Sequence, residues 1–121
     1  MQRDIQERTF NFGVRIIKLV GSLPNSKIGG VIGKQVLRSG TSIGANVEEA
    51  DAAYSKEDFI YKINIALKEA RETHYWLRMI KASDMVNPQR LESILAEAEE
   101  LKKILGSIAS KARGTSKKKS S

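Results

Sequence analysis

Lys34 to Ala50 reads KQVLRSGTSIGANVEEA, and the spacing inside this stretch decides the fold. Val36, Ile43 and Val47 recur at helical spacing, with Ser39 on the same side; that is one face of an α-helix. Gly40, Gly44 and Ala45 keep another side thin, and a thin side lets a neighbouring helix come close. Gln35, Arg38, Ser42, Asn46 and Glu49 follow one another by three or four residues and form a polar row that turns with the helix. Two glycines inside a helix cost about 1 kcal/mol each against alanine. A long helix that keeps them is expected to use them for close packing in a bundle. A ligand-binding or catalytic row is the competing reading, and a break near Gly40 or Gly44 is the third.

Three more amphipathic segments flank this one. Upstream, Ile5, Phe12, Ile16, Leu19 and Leu23 make a stripe over residues 4–23, widened by Phe10, Val14, Ile17 and Val20. The face is broader than a single partner helix needs. Leu23-Pro24-Asn25-Ser26 stops the segment, because proline pushes its predecessor out of the α region and serine and asparagine favour caps. The second helix is predicted from Ser26 or Lys27 to about Ala53. Its opening, Ile28-Gly29-Gly30-Val31-Ile32-Gly33-Lys34, lacks the spacing of a phosphate loop and any preceding strand. A loose first turn or a short non-helical approach is expected there.

Downstream, Ser55 and Asp58 just before Phe59 resemble a capping arrangement. The third helix then runs to about Ala82, with Phe59, Ile63, Ala66, Ala70, Thr73, Leu77 and Ile80 on its inner face. Asn87 is suited to cap and Pro88 to open the fourth helix. That helix is predicted from Pro88 to about Ala112, with Leu91, Ile94, Leu95, Ala98, Leu101, Leu105, Ile108 and Ala112 as its stripe. Four such segments and three short connections predict an all-α, antiparallel up-and-down four-helix bundle over residues 1–112. Residues 113–121 have no apolar anchor and are expected to form a basic disordered tail.

The 121 residues suffice for one domain with a modest core. The absence of cysteine excludes disulfides, thiolate metal ligands and a cysteine nucleophile. No apolar run approaches the roughly 20 residues that span a bilayer, and no signal sequence opens the chain. A soluble, cytoplasmic protein with no membrane partner is expected. The net charge of +7 divides unevenly: residues 1–47 carry +5, residues 48–110 carry −3 and residues 111–121 carry +5. Such a distribution attracts a polyanion without specifying its sequence.

Chemistry has little to work with. His74 is the single histidine and lies near the inner face of the third helix, where a packing or interface role is expected before a ligand role. No Glu-x-x-His pair of the kind that holds metals in bundles occurs. No nucleophile motif joins a serine to His74. The reading is therefore of a protein that is not an enzyme and needs no metal or cofactor. Gln35, Arg38, Ser42, Asn46 and Glu49 of the second helix, with Glu69, Glu72 and Trp76 of the third, are expected to form a structural polar network that fixes helix register. Arg38 would pair with Glu69 or Glu72. A ligand contact at Arg38 is the alternative.

Arg38-Ser39-Gly40-Thr41-Ser42-Ile43-Gly44-Ala45-Asn46-Val47-Glu48-Glu49-Ala50 resembles the signature of the bacterial four-helix bundle protein family, also called the 23S rRNA intervening-sequence protein family. A second block agrees: Asp58-Phe59-Ile60, Ile65 through Thr73, and Tyr75-Trp76-Leu77. The likeness covers roughly residues 4–110. Arg38 matches the second of a frequent arginine pair, and Leu37 stands where the first would be. Gly44 replaces a frequent proline and Ala50 a frequent glycine, which implies a smoother helix. The resemblance implies a four-helix bundle assembled as a homopentameric ring, with no enzyme activity. A related pentameric bundle, the accessory protein of diversity-generating retroelements, binds nucleic acid and a reverse transcriptase.

The expected partners are thus further copies of this chain and RNA or DNA. Phosphates would be held without sequence reading by Lys18, Lys27, Lys34, Arg38, Lys111, Arg113, Lys117, Lys118 and Lys119. A structural or protein-interaction scaffold without nucleic acid is the alternative.

Overall fold

Helix starts follow the caps that the sequence offers. Ser26 and Ser55 lie in extended backbone, and their hydroxyls accept the N–H groups of Gly29 and Asp58, each at 3.1 Å. Each such cap contributes about 1 kcal/mol. The computed structural model of the protein describes residues 3–120, with side chains over 4–114. Its elements are α1 (Arg3–Gly21), α2 (Lys27–Asp51), α3 (Lys56–Ala82) and α4 (Glu92–Ser120). The fold is the four-helix bundle expected from the periodicity, with consecutive helices packed against each other. No helix is long and apolar enough to cross a membrane among the described residues.

Two boundaries differ from the sequence reading. Asn87 accepts the Gln89 N–H at 3.0 Å, and Arg90 N–H bonds to the Asn87 carbonyl at 3.0 Å. That closes a 3₁₀ turn, Pro88–Leu91, so α4 itself begins at Glu92 rather than Pro88. At the other end α4 is continuous past Ala112 and Arg113, where the sequence places the start of the tail, and runs to Ser120. Arg113, Lys117, Lys118 and Lys119 favour the helix, and Gly114, Thr115 and Ser116 together weaken it without stopping it. The Lys117, Lys118 and Lys119 side chains lie outside the described residues. The opening of α2 is also helical: Gly29 and Gly30 lie inside it. A Cβ on Gly29 would stand 2.2 Å from the Pro24 carbonyl oxygen, which explains glycine there.

Antiparallel neighbours are fixed by named contacts. Arg38 of α2 meets Glu69 and Glu72 of α3, while Glu49 meets Lys62. His74 of α3 faces Glu99 of α4, and Asn64 faces Arg113. The core holds Phe12 and Ile16 of α1, Val36, Ile43 and Val47 of α2, Ile63, Leu77 and Ile80 of α3, and Leu101 and Leu105 of α4. The inner stripe of α4 ends on buried Ala109, with Ile108 only half-buried.

The thin side of α2 receives α1. A Cβ on Gly40 would lie 2.8 and 2.9 Å from the Ile16 Cγ atoms, and one on Gly44 would lie 3.2 Å from the Thr9 carbonyl oxygen. Gly33 faces Val20 and Leu23 in the same way. The broad apolar face of α1 is divided by this packing. Phe12 is 1 % exposed, whereas Phe10 is 64 % and Ile17 54 % exposed, with Val14 beside them.

The glycines separate into two kinds. Around Gly30 and Gly106 an added Cβ meets nothing. Gly30→Ala and Gly106→Ala are expected to raise unfolding free energy by up to about 1 kcal/mol each through helix propensity. Gly40→Ala carries the same gain but overpacks against Ile16, a cost of about 1–3 kcal/mol, and is expected to destabilise. Urea unfolding followed by circular dichroism checks the opposite signs.

Candidate functional site

The polar row of α2 resolves into separate groups. Arg38 Nη1 donates to Glu69 at 3.2 Å, and Nη2 donates to Gln35 Oε1 at 3.4 Å and pairs with Glu72. The Trp76 indole N–H donates to the same Glu72 carboxylate at 3.1 Å. Gln35, Arg38, Glu69, Glu72 and Trp76 thus form one cluster across the α2–α3 seam. Ser42 and Asn46 stand apart from it. The Ser42 hydroxyl bonds to the Arg38 carbonyl at 2.6 Å and Asn46 Nδ2 donates to the Ser42 carbonyl at 2.9 Å. Short polar side chains on a helix find the carbonyl one turn back before they reach a neighbour. Glu49 forms its own ion pair with Lys62 at 2.7 Å.

Beneath the cluster, Ser39 and Thr73 are buried and hydrogen-bonded to each other at 2.9 Å, and Thr73 Oγ1 also reaches the Glu69 carbonyl at 2.7 Å. Sequence reasoning placed both residues on apolar stripes without joining them. The signal was there: each is the one hydroxyl on the inner face of a helix facing the other.

The α1–α4 seam was not foreseen. Arg8 makes a two-pronged contact with Glu97, at 3.1 and 2.7 Å, and lies 3.3 Å from Glu100. Hydrogen bonding to Glu97 holds its pKa above the usual arginine value. Seven residues on, Arg15 donates to the Ser93 hydroxyl at 2.8 Å, and Arg90 donates to the Ser22 hydroxyl at 3.1 Å.

His74 sits against Glu99, Nε2 to Oε2 3.2 Å, and Glu99 also holds Lys102 at 3.1 Å. Burial pushes the His74 pKa down, helped by the Lys102 charge and opposed by Glu99. Burial thus favours the neutral imidazole, which packs at the α3–α4 interface beside Glu99. The hydrogen bond from Lys102 lowers the Glu99 pKa.

The residues expected to hold phosphates fall in several places. Lys18, Lys27 and Lys34 are exposed near the α1–α2 connection. Arg38 lies midway along the bundle between its two carboxylates. Lys111 and Arg113 sit on the distal half of α4, where Arg113 donates to Asn64 at 3.3 Å. No group of three or more His, Cys, Asp or Glu side chains that could hold a metal ion occurs among the described residues.

The profile of the 23S rRNA-intervening sequence protein family matches residues 1–107. The chain belongs to this family. Its fold is similar to the crystal structure of a protein of unknown function from the S23 ribosomal protein family of Bacteroides thetaiotaomicron VPI-5482. The two are 46% identical, the match covers 87% of this chain and 97% of that one, and the TM-score is 0.82. No curated protein matches the chain. The 23S rRNA-intervening sequence family model covers α1, α2, α3 and the first part of α4, so the Arg38 cluster and both seams lie within it.

Arg38→Ala leaves Glu69 and Glu72 facing each other without a cation. A loss of about 1 kcal/mol is expected from this partly exposed cluster, part of it regained by Glu72→Gln in the same chain; thermal unfolding of the two variants checks this. The acid limb of stability is expected to depend on His74. Its folded pKa is lowered, so the unfolded chain binds the proton more readily. Stability is then full above the ordinary value of 6.5 and falls as pH drops through 6.5 toward the folded value. His74→Gln should flatten that part of the melting-temperature profile, and an unchanged profile would assign the slope to other groups.

Proposed function

We propose that this protein is a non-enzymatic, self-assembling bundle, with a ring of five as the favoured form, that holds RNA or DNA through phosphates without reading sequence. One observation carries this reading: the end of the bundle where α1 passes into α2 and α3 into α4 is rich in unpaired cations. At the end where α1 passes into α2 and α3 into α4, Arg15, Lys18, Lys27 and Lys34 on one hairpin join Arg78, Lys81 and Arg90 on the other. Residues 15–34 and 78–93 contain only Asp84 and Glu92 as acids, and none of these cations is in an ion pair among the described residues. The opposite turn, residues 44–62, mixes Glu48, Glu49, Asp51, Glu57 and Asp58 with Lys56 and Lys62, and Arg113 of α4 reaches Asn64 beside it. A predominantly basic end focuses a field that draws polyanions. The described buried polar side chains are hydrogen-bonded within the bundle, which suits a binding surface rather than a reaction centre. This reading places the protein in the cytoplasm, within reach of nucleic acid.

Assembly is supported by Phe10, Val14 and Ile17, an exposed apolar stripe beside a hollow of about 350 Å³ that also includes Thr41 and Ala45 of α2. Repeating the basic end in a ring multiplies weak phosphate contacts into avidity. The same stripe favours the second reading, a protein-interaction scaffold without nucleic acid.

Sedimentation of the intact chain and titration of single-stranded RNA, duplex RNA and duplex DNA across a salt series separate the two. Expected are multiples of 13.4 kDa, binding to all three, and affinity that falls steeply with salt. Phe10→Ser with Ile17→Ser should shift sedimentation toward monomer and weaken binding together. A persistent monomer removes the ring. An oligomer that ignores all three nucleic acids at low salt leaves the scaffold reading in place.

A further inference from the structure

The α1–α4 seam carries two arginines of different kinds. Arg8 and Arg15 lie seven residues apart on the same face of α1. Arg8 is neutralised by Glu97 and Glu100. Among the described residues Arg15 is held by the neutral hydroxyl of Ser93, and Arg90 crosses in the other direction to the hydroxyl of Ser22. A staple between helices would use a carboxylate, as Arg8 does. A hydroxyl orients a guanidinium and leaves its charge and its remaining N–H groups available. Lys18 stands at the same hollow, whose floor is the buried pair Leu19 and Ile94. No carboxylate lies within ion-pair distance of these three cations among the described residues; Glu92, the acid nearest in sequence to Arg90, pairs with none of them. The negative C-terminal end of α1 and the positive N-terminal end of α4 meet here and oppose each other, so the guanidinium forks themselves set the field.

We propose that Arg15, Arg90 and Lys18 form a phosphate clamp, and that it is the place on the bundle where a nucleic-acid strand is gripped. Two forks and an ammonium over an apolar floor match the oxygens of a phosphate, with the forks supplying geometry and the lysine a point charge. The hollow is about 240 Å³, below the roughly 300–1,000 Å³ of clefts that enclose whole small ligands. It accommodates a phosphodiester passing across the seam, with its base and sugar outside, rather than a buried nucleotide. The strand as ligand rests on the function proposed above, whereas the phosphate chemistry of the clamp does not.

The test uses the full chain carrying Arg15→Gln and Arg90→Gln, with Lys103→Gln as a charge control on the exposed face of α4, each checked for native helicity. The double variant is expected to bind single-stranded RNA and duplex DNA at least about tenfold more weakly at low salt. The slope of log affinity against log salt should be shallower by about one lost phosphate contact, with little change in the control. The milder pair Arg15→Lys and Arg90→Lys keeps every charge. It should retain the slope yet lose affinity, and binding as tight as that of the native chain would overturn the clamp. Equal weakening per charge by the double variant and the control would also overturn it, leaving only a diffuse field while nucleic-acid binding stands. If the native chain binds no nucleic acid, that functional reading fails. Inorganic pyrophosphate followed on the Arg15 and Arg90 side-chain N–H resonances then decides the clamp by itself: shifts there keep it as a phosphate site, and none removes it.

Discussion

Gly33, Gly40 and Gly44 give α2 a side that is almost bare backbone, and α1 lies directly on it, with Ile16 filling the space over Gly40 and the Thr9 backbone beside Gly44. This close approach sets the rotation of α1 about its own axis, and several other features follow from that rotation. Once Ile16 points at Gly40, Phe12 and Leu19 turn into the core. Phe10, Val14 and Ile17 are carried outward, and Arg8 and Arg15 are aimed at α4. The exposed apolar stripe and the seam of arginines are therefore two results of one packing contact. The helix propensity lost at the glycines is offset by dispersion contacts that a larger residue would prevent.

The opposite side of α2 is organised by polar matching. Ser39 and Thr73 are both buried, each within reach of a carbonyl of its own helix, and they also meet each other across the seam. Their bond fixes the vertical register of α2 on α3, and the Arg38 cluster repeats that register nearer the surface. Sliding the helices by one turn would break the buried hydroxyl pair and leave two carboxylates without their cation. Small residues thus set distance on one side of α2, and hydrogen bonds set alignment on the other.

The four helices, most of the core and the Arg38 partners were legible because apolar spacing and the Ser39–Glu49 stretch state which face is inside. Ser55 with Asp58 announced its own cap. Other features were hidden for identifiable reasons. Arg8 and Glu97 are 89 positions apart, and periodicity places both on polar faces without telling which long side chains meet. Ser42 and Asn46 share the spacing of Arg38, but their reach is too short to cross a seam, so the row split where side-chain length changed. Pro88 was right for a helix start and wrong for an α start, because the Asn87 cap closes a tighter turn first. The basic residues were visible one by one. The gathering of seven of them at one end needed the hairpin topology, which brings residues 15–34 and 78–93 together.

Trp76 is the chain's single tryptophan, half-buried, edge-on to Tyr75 at 5.3 Å, with its indole N–H on Glu72. Nature has in effect placed one fluorophore against the carboxylate that grips Arg38. On excitation at the red edge of the indole band, where the three tyrosines do not absorb, emission comes from a single environment, at the joint between α2 and α3. Its wavelength and quenching report whether that joint is closed, without a label and without contribution from the apolar stripe or the basic end.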